Sequence, residues 1–199
     1  MFSKIIFLNG CSSAGKTTLA KEIMELSNEP WLNFPLSIFW NALSPKYKGF
    51  GEKSDEGFQF IHGQDPQGLP INEVKANLYG EKILNSMPKV FKQLAEDGFN
   101  LIIEEVVLEE KYLRNYKNAL KDYQIYFVNV ACELSILEKR EISRGDRILG
   151  TNRSQFSKMS SLEWKYDLSI DTSQTPPFAN AQKILEFLEE NKPRTFTKK

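Results

Sequence analysis

Asn9-Gly10-Cys11-Ser12-Ser13-Ala14-Gly15-Lys16-Thr17-Thr18 lies between the apolar run Ile5-Ile6-Phe7-Leu8 and a helical pattern that starts near Lys16 and continues to about Leu26. The order is strand, glycine loop, helix, and Gly10 to Thr17 matches G-x-x-x-x-G-K-[ST]. Glycines permit positive φ and close approach. Successive backbone N–H groups can then point inward at phosphate oxygens while the following helix presents its positive N-terminal end. This reading assigns Gly10, Ser12, Ser13, Ala14, Gly15, Lys16, Thr17 and Thr18 to a nucleotide's phosphates. Lys16 would bridge the β- and γ-phosphates, and the Thr17 hydroxyl would help hold Mg²⁺.

Working outward, continuous apolar runs recur at Phe99 to Ile103, Ile125 to Ala131 and Leu168 to Ile170, with a weaker one at Trp31 to Phe34. Each of the three main runs is followed by a helical stretch, a pattern that implies a parallel sheet covered on both faces. The expectation is an α/β, three-layer fold of the P-loop NTPase and kinase type, with a mainly parallel sheet of about five strands. Further helices are expected near 36–43, 73–97, 110–121, 133–144 and 177–190, with Pro88 kinking or dividing the second of these. Its apolar face is expected to run through Ala76, Tyr79, Ile83, Met87, Val90 and Leu94. Residues 1–191 read as one domain, and 44–72, glycine-rich and without clear periodicity, as an insertion that covers a substrate or merely decorates the surface. Residues 192–199 read as a solvated basic tail.

Two further groups belong with a phosphate site. Leu101-Ile102-Ile103-Glu104-Glu105 is a strand ending in two carboxylates at the sheet edge where such folds bind ligands, and Glu104 is the candidate for the Mg²⁺ water shell. Arg140, Arg144 and Arg147, spaced by four and three residues, would share one side of a continuing helix and clamp a transferring phosphoryl group, so 140–158 reads as a lid. Asp171 and Thr172, at the end of the last strand, would lie near the purine.

The chain of 199 residues is 41% hydrophobic and 12% aromatic, which excludes disordered and low-complexity classes. Lys plus Arg (26) balance Asp plus Glu (26), so no overall field favours nucleic acid. Cys11 and Cys132 cannot build a disulfide scaffold, and no signal peptide or apolar run of membrane length occurs, so a cytoplasmic protein is expected.

Taken together, the motifs resemble one family. Leu8-Asn9-Gly10 leads through Ser12-Ser13-Ala14-Gly15-Lys16 to Pro30-Trp31-Leu32 with Phe34, and then to Ile102-Ile103-Glu104-Glu105-Val106 with Leu108. Arg140-Glu141, Arg144-Gly145-Asp146-Arg147 with Gly150, and Tyr166-Asp167 before Asp171-Thr172 complete the set. This order is similar to that of the chloramphenicol phosphotransferases, P-loop kinases related to nucleoside monophosphate and shikimate kinases. The resemblance implies ATP and Mg²⁺ as cofactors, transfer of the γ-phosphate to the hydroxyl of a small molecule, and an arginine segment that closes over the nucleotide.

One position departs from the family. Counting from Pro30 places Ser37 where the family has the aspartate that acts as general base, and no Asp or Glu occurs between Glu29 and Glu52. A serine hydroxyl can orient an acceptor but cannot take its proton near neutral pH. Glu104, Glu105, His62 and Asp65 are the other candidates for that role. Ser37 and Glu105 are assigned to the acceptor, and Glu104, Glu105, Lys16 and the three arginines to the chemistry. Chloramphenicol itself is disfavoured as the acceptor. The rival reading is a nucleotide-binding regulatory or interaction protein without chemistry. A GTPase is disfavoured because no guanine-reading Asn-Lys-x-Asp segment occurs.

Overall fold

The computed structural model describes residues 3–196. In chain order the elements are β1 (Lys4–Asn9), α1 (Lys16–Leu26), β2 (Trp31–Pro35), α2 (Leu36–Ala42), β3 (Lys48–Gly49), β4 (Phe58–Gln64) and β5 (Pro70–Ala76). There follow α3 (Leu78–Glu96), β6 (Asn100–Glu105), α4 (Glu110–Leu120), β7 (Gln124–Ala131), α5 (Leu134–Arg144), α6 (Thr151–Ser160), β8 (Leu168–Asp171) and α7 (Pro177–Glu190). Five strands form one sheet in the order β2-β6-β1-β7-β8, with every neighbouring pair parallel. This is the expected α/β architecture. Among the described residues no helix is long and apolar enough to cross a membrane.

Period-two alternation sorts the sheet's side chains between two cores. Ile6, Leu8, Ile102, Tyr126, Val128 and Ile170 join residues of α1, α5 and α7 on one face. Ile5, Phe7, Leu101, Ile103, Ile125 and Phe127 join α3 and α4 on the other. Because both faces are covered, the central strands are apolar at almost every position, which is why they read as continuous runs.

Several expectations change. The helix expected from residue 73 begins at Leu78, because 70–76 is a strand. Pro88 is buried inside α3 without dividing it. The buried face of α3 is centred on Met87, Phe91 and Ala95, while Tyr79 and Val90 are exposed and Ala76 lies in β5. Residues 44–72, expected to lack regular structure, hold two short 3₁₀ turns and most of a hairpin, β4 pairing antiparallel with β5 and parallel with β3. Finally, the segment read as a solvated tail is docked through its described part. Asp167 accepts the Arg194 and Thr195 amides at 2.8 and 3.0 Å, and Phe196 is buried against Phe7 and Phe127. Residues 197–199 lie outside the described residues.

Candidate active site

The glycine loop connects β1 to α1. Gly15, at φ 90°, takes the left-handed conformation that starts α1, and Ser13, at φ 60°, is the single non-glycine with positive φ among the described residues. The Ser13 hydroxyl is buried without a partner. The Lys16 ammonium lies back across the loop, donating to the carbonyls of Gly10 and Cys11, each at 2.8 Å. Burial pulls its pKa down to about 8 against the opposing pull of Glu104. Burial likewise pushes the Cys11 thiol up to about 11, which leaves it a poor nucleophile.

Beside Lys16, the Thr17 hydroxyl donates to Glu104 Oε2 at 2.6 Å, and Asn33 Nδ2 donates to Glu104 Oε1 at 2.8 Å. β6 lies between β1 and β2 in the sheet, so three separate segments meet at one carboxylate. On the other side of the loop, the Thr172 hydroxyl donates to the Ala14 carbonyl at 2.7 Å. Arg140 Nη2 donates to the Thr172 carbonyl at 2.7 Å, and its Nη1 reaches the Ser13 carbonyl at 3.4 Å. Arg140 therefore braces the loop against the end of β8.

A cavity of about 940 Å³ opens at the carboxyl edge of the sheet, where doubly wound folds bind ligands. Lys16, Thr17 and Glu104 line it with Arg140, Arg144 and Arg147. Residues that follow β2, among them Ser37 and Trp40, contribute at one end, and residues that follow β8, from Thr172 to Pro177, at the other. The three arginines do not share a continuing helix. α5 ends at Arg144 with Gly145 as a left-handed cap, so Arg147 reaches the cavity from the following loop. Burial and the adjacent Arg144 lower the pKa of Arg147, as expected where guanidiniums gather without a full set of counter-charges.

Ser12, Ser13, Gly15, Thr18, Ser37 and Thr172 also line the cavity. Gly10 and Ala14 lie in the same loop but behind its surface, and Asp171 accepts the Ser173 amide at 2.7 Å without lining the cavity. Glu105 does not enter it. Its side chain turns to the opposite face of the sheet, where Tyr116 donates to Oε1 at 2.5 Å and burial pushes its pKa up to about 7. Nor do the other candidate bases reach it: His62 is exposed and stacked on Phe50, and Asp65 pairs with Arg153. No residue of 44–72 lines the cavity. Among the lining residues Glu104 is the one carboxylate, and none is a histidine.

Sequence reasoning missed two residues that support the site. Asn33 fixes Glu104 from β2, and Gln155, on α6, accepts the Ser12 amide at 2.7 Å. Asn33 stands within the Trp31-to-Phe34 run, where a polar side chain on an otherwise apolar strand was a usable signal. Gln155 had none, since its partner is 143 residues away.

Comparison with known proteins follows the same outline. The profile of a family described as chloramphenicol phosphotransferase-like proteins matches residues 3–189. A Mycobacterium tuberculosis H37Rv protein provisionally named an O-phosphotransferase is 27% identical over 183 residues, covering 92% of this chain and 81% of its own. An unliganded sugar kinase from Janibacter superposes with a TM-score of 0.62 at 16% identity, covering 94% of this chain and 95% of its own. The tunicamycin resistance protein of Deinococcus radiodurans gives 0.62 at 16% identity, covering 96% and 99%. The APS kinase of M. tuberculosis, solved with AMPPNP and APS, gives 0.61 at 13% identity, covering 94% and 98%. At these identities the structures establish a shared fold.

Proposed function

This chain belongs to the chloramphenicol phosphotransferase-like family, and from that premise we propose that it is an ATP-dependent phosphotransferase acting on a small-molecule hydroxyl. The observation that carries the reading is a single cavity lined by the phosphate-loop lysine and threonine, a strand-end carboxylate, three arginines and Ser37.

The roles follow from chemistry. Loop amides and Lys16 bind the β- and γ-phosphates, whose negative charge raises the lysine's lowered pKa and keeps it protonated. The Thr17 hydroxyl and Glu104 carboxylate, hydrogen-bonded at 2.6 Å, are hard oxygen donors in the small number Mg²⁺ takes from protein beside water and phosphate, so the pair fits that ion. When bound, Mg²⁺ neutralises charge on the phosphate oxygens. Arg144 and Arg147, whose ion-pair partner is the exposed Asp146, are available to clamp the phosphoryl group in transfer. Arg140 holds the loop in shape.

The acceptor oxygen would approach from the Ser37 side, forming its bond to γ-phosphorus as the bridging P–O bond to ADP breaks. Pro35, Leu36, Trp40 and Val106 make that end largely apolar, which suits an uncharged acceptor body. With Glu104 committed to Thr17 and Asn33, the acceptor proton passes late to a phosphoryl oxygen, consistent with a loose transition state.

A phosphotransfer assay with Mg-ATP across drug, sugar, nucleoside and peptidoglycan-precursor alcohols tests this. A phosphorylated product from one class, abolished by Lys16→Ala, is expected; no Lys16-dependent product from any class would overturn it.

A second reading, a nucleotide-binding regulatory protein, draws on one observation: Ser37 and the absence of an uncommitted carboxylate among the lining residues. Ser37→Asp separates the two. A large gain in drug phosphorylation marks a decayed enzyme, and loss of a native activity marks a re-purposed one.

A further inference from the structure

The hairpin β4–β5 does not line the cavity, yet it is bound closely to the segment that carries the arginines. Asn72 in β5 donates its amide to the Gly150 carbonyl at 3.1 Å and its Nδ2 to the Leu149 carbonyl at 2.6 Å. The approach is so tight that a Cβ at Gly150, already at φ 85°, would stand 2.4 Å from the Pro70 carbonyl oxygen. No residue but glycine satisfies both conditions. Charge reinforces the joint: Arg153 in α6 pairs with Asp65 of the hairpin at 3.0 Å and with Glu138 of α5 at 2.5 Å, and Lys158 pairs closely with Glu73. The Arg153 and Asp65 side chains are only 21% and 11% exposed, so solvent screens this pair less than an ordinary surface ion pair.

The same segment is braced internally and reaches the phosphate loop. The buried Glu141 carboxylate in α5 accepts the amides of Gly150 and Asn152, each at 2.9 Å, which ties α5 to the start of α6. One turn further along α6, Gln155 holds the Ser12 amide. A contiguous path of hydrogen bonds therefore runs from the phosphate loop through α6 to the hairpin.

We propose that Gln155, Asn72 and Asp65 are positioning residues that make the hairpin and the arginine segment one cooperative unit, so that nucleotide in the loop orders the hairpin. This rests on the nucleotide site proposed above. The Ser12 amide lies in the loop that receives the phosphates, so a nucleotide acts on the contact Gln155 makes, and α6 cannot shift without carrying β5. Linkage is reciprocal: whatever the hairpin holds in its ordered state tightens the nucleotide by the same factor, with about 5- to 150-fold being ordinary for such coupling.

Hydrogen exchange of the full chain, with and without Mg²⁺ and a non-hydrolysable ATP analogue, reads this without an acceptor. In the wild type the analogue should slow exchange in 10–17 and 144–160 and, by about fivefold or more, in 58–76 as well. Asn72→Ala removes the Leu149 contact. Asp65→Asn keeps the oxygen that accepts the Gln67 and Leu69 amides in the hairpin turn but removes the charge facing Arg153, so it preserves the turn if Asn72→Ala fails to fold. Each folded variant should retain protection in 10–17 and lose it in 58–76. Wild-type protection confined to the loop and the arginine segment, or full protection of the hairpin in both variants, would overturn the proposal. If the analogue protects nothing, 10–17 included, the nucleotide site itself is refuted and the coupling falls with it.

Discussion

Glu104 and Glu105 are neighbours in the chain and stand on opposite faces of the sheet. Glu104 accepts the Thr17 hydroxyl at 2.6 Å on the α1 side, and Glu105 accepts the Tyr116 hydroxyl at 2.5 Å on the α4 side. One residue of strand parity thus separates a carboxylate in the cavity from one in the core.

Asn33 should matter to the metal without touching it. Asn33→Ala leaves Glu104 Oε1 without its donor and free to rotate, so Mg²⁺ affinity in the nucleotide complex should fall about 10- to 100-fold. Mg²⁺ titrations of nucleotide binding by calorimetry check this, and a wild-type dependence would remove Asn33 from the site.

The pH dependence of stability should carry the signature of Glu105. Burial raises its pKa from 4.5 to about 7, so as pH rises the unfolded carboxylate ionises first and the folded state retains the proton. This contribution is fully present below pH 4.5 and is lost as pH rises through 7, amounting to about 3 kcal/mol at most. In urea unfolding at pH 5 and pH 8, Glu105→Gln should gain on the wild type at the higher pH; an unchanging difference would show that the carboxyl does not titrate there.

Ser37→Ala removes one hydroxyl from the acceptor side of the cavity. The expected effect is a drop of about tenfold in kcat/KM for the acceptor, the worth of one hydrogen bond made in the transition state, with nucleotide affinity unchanged. Equal losses for both substrates would mean that Ser37 shapes the whole cavity instead.

Phe91 supports that side from below. It is fully buried, 5.4 Å from the Phe34 ring and 5.6 Å edge-on from Phe39, in the β2 and α2 segments that present Ser37. Phe91→Ala should cost about 3–5 kcal/mol of stability, and the milder Phe91→Leu should weaken acceptor use more than nucleotide binding. Urea unfolding together with steady-state kinetics separates the two effects.

The hairpin shows where reading the chain was harder. Asp65-Pro66-Gln67-Gly68 is a turn signature with a flanking alternation such as Phe58-Gln59-Phe60, and it was a usable signal. It was weak because β4 and β5 are half-exposed, with Val74 and Ile61 open to solvent, so they lack the apolar density of the central strands. Phe196 misled in the other direction: a short terminal stretch rich in Lys and Arg conceals one aromatic that packs, buried, against Phe7.

The glycine loop, the parallel strands and the helices between them were legible along the chain because their signals are local: a fixed motif spacing, apolar runs, and a period near 3.6. The face each of the two glutamates takes was not, since a strand buried on both sides shows no polar alternation to reveal its orientation. Packing of α1 against one face and α4 against the other settled it, and the joining of α6 to both the loop and the hairpin came the same way, through contacts between residues far apart in the chain.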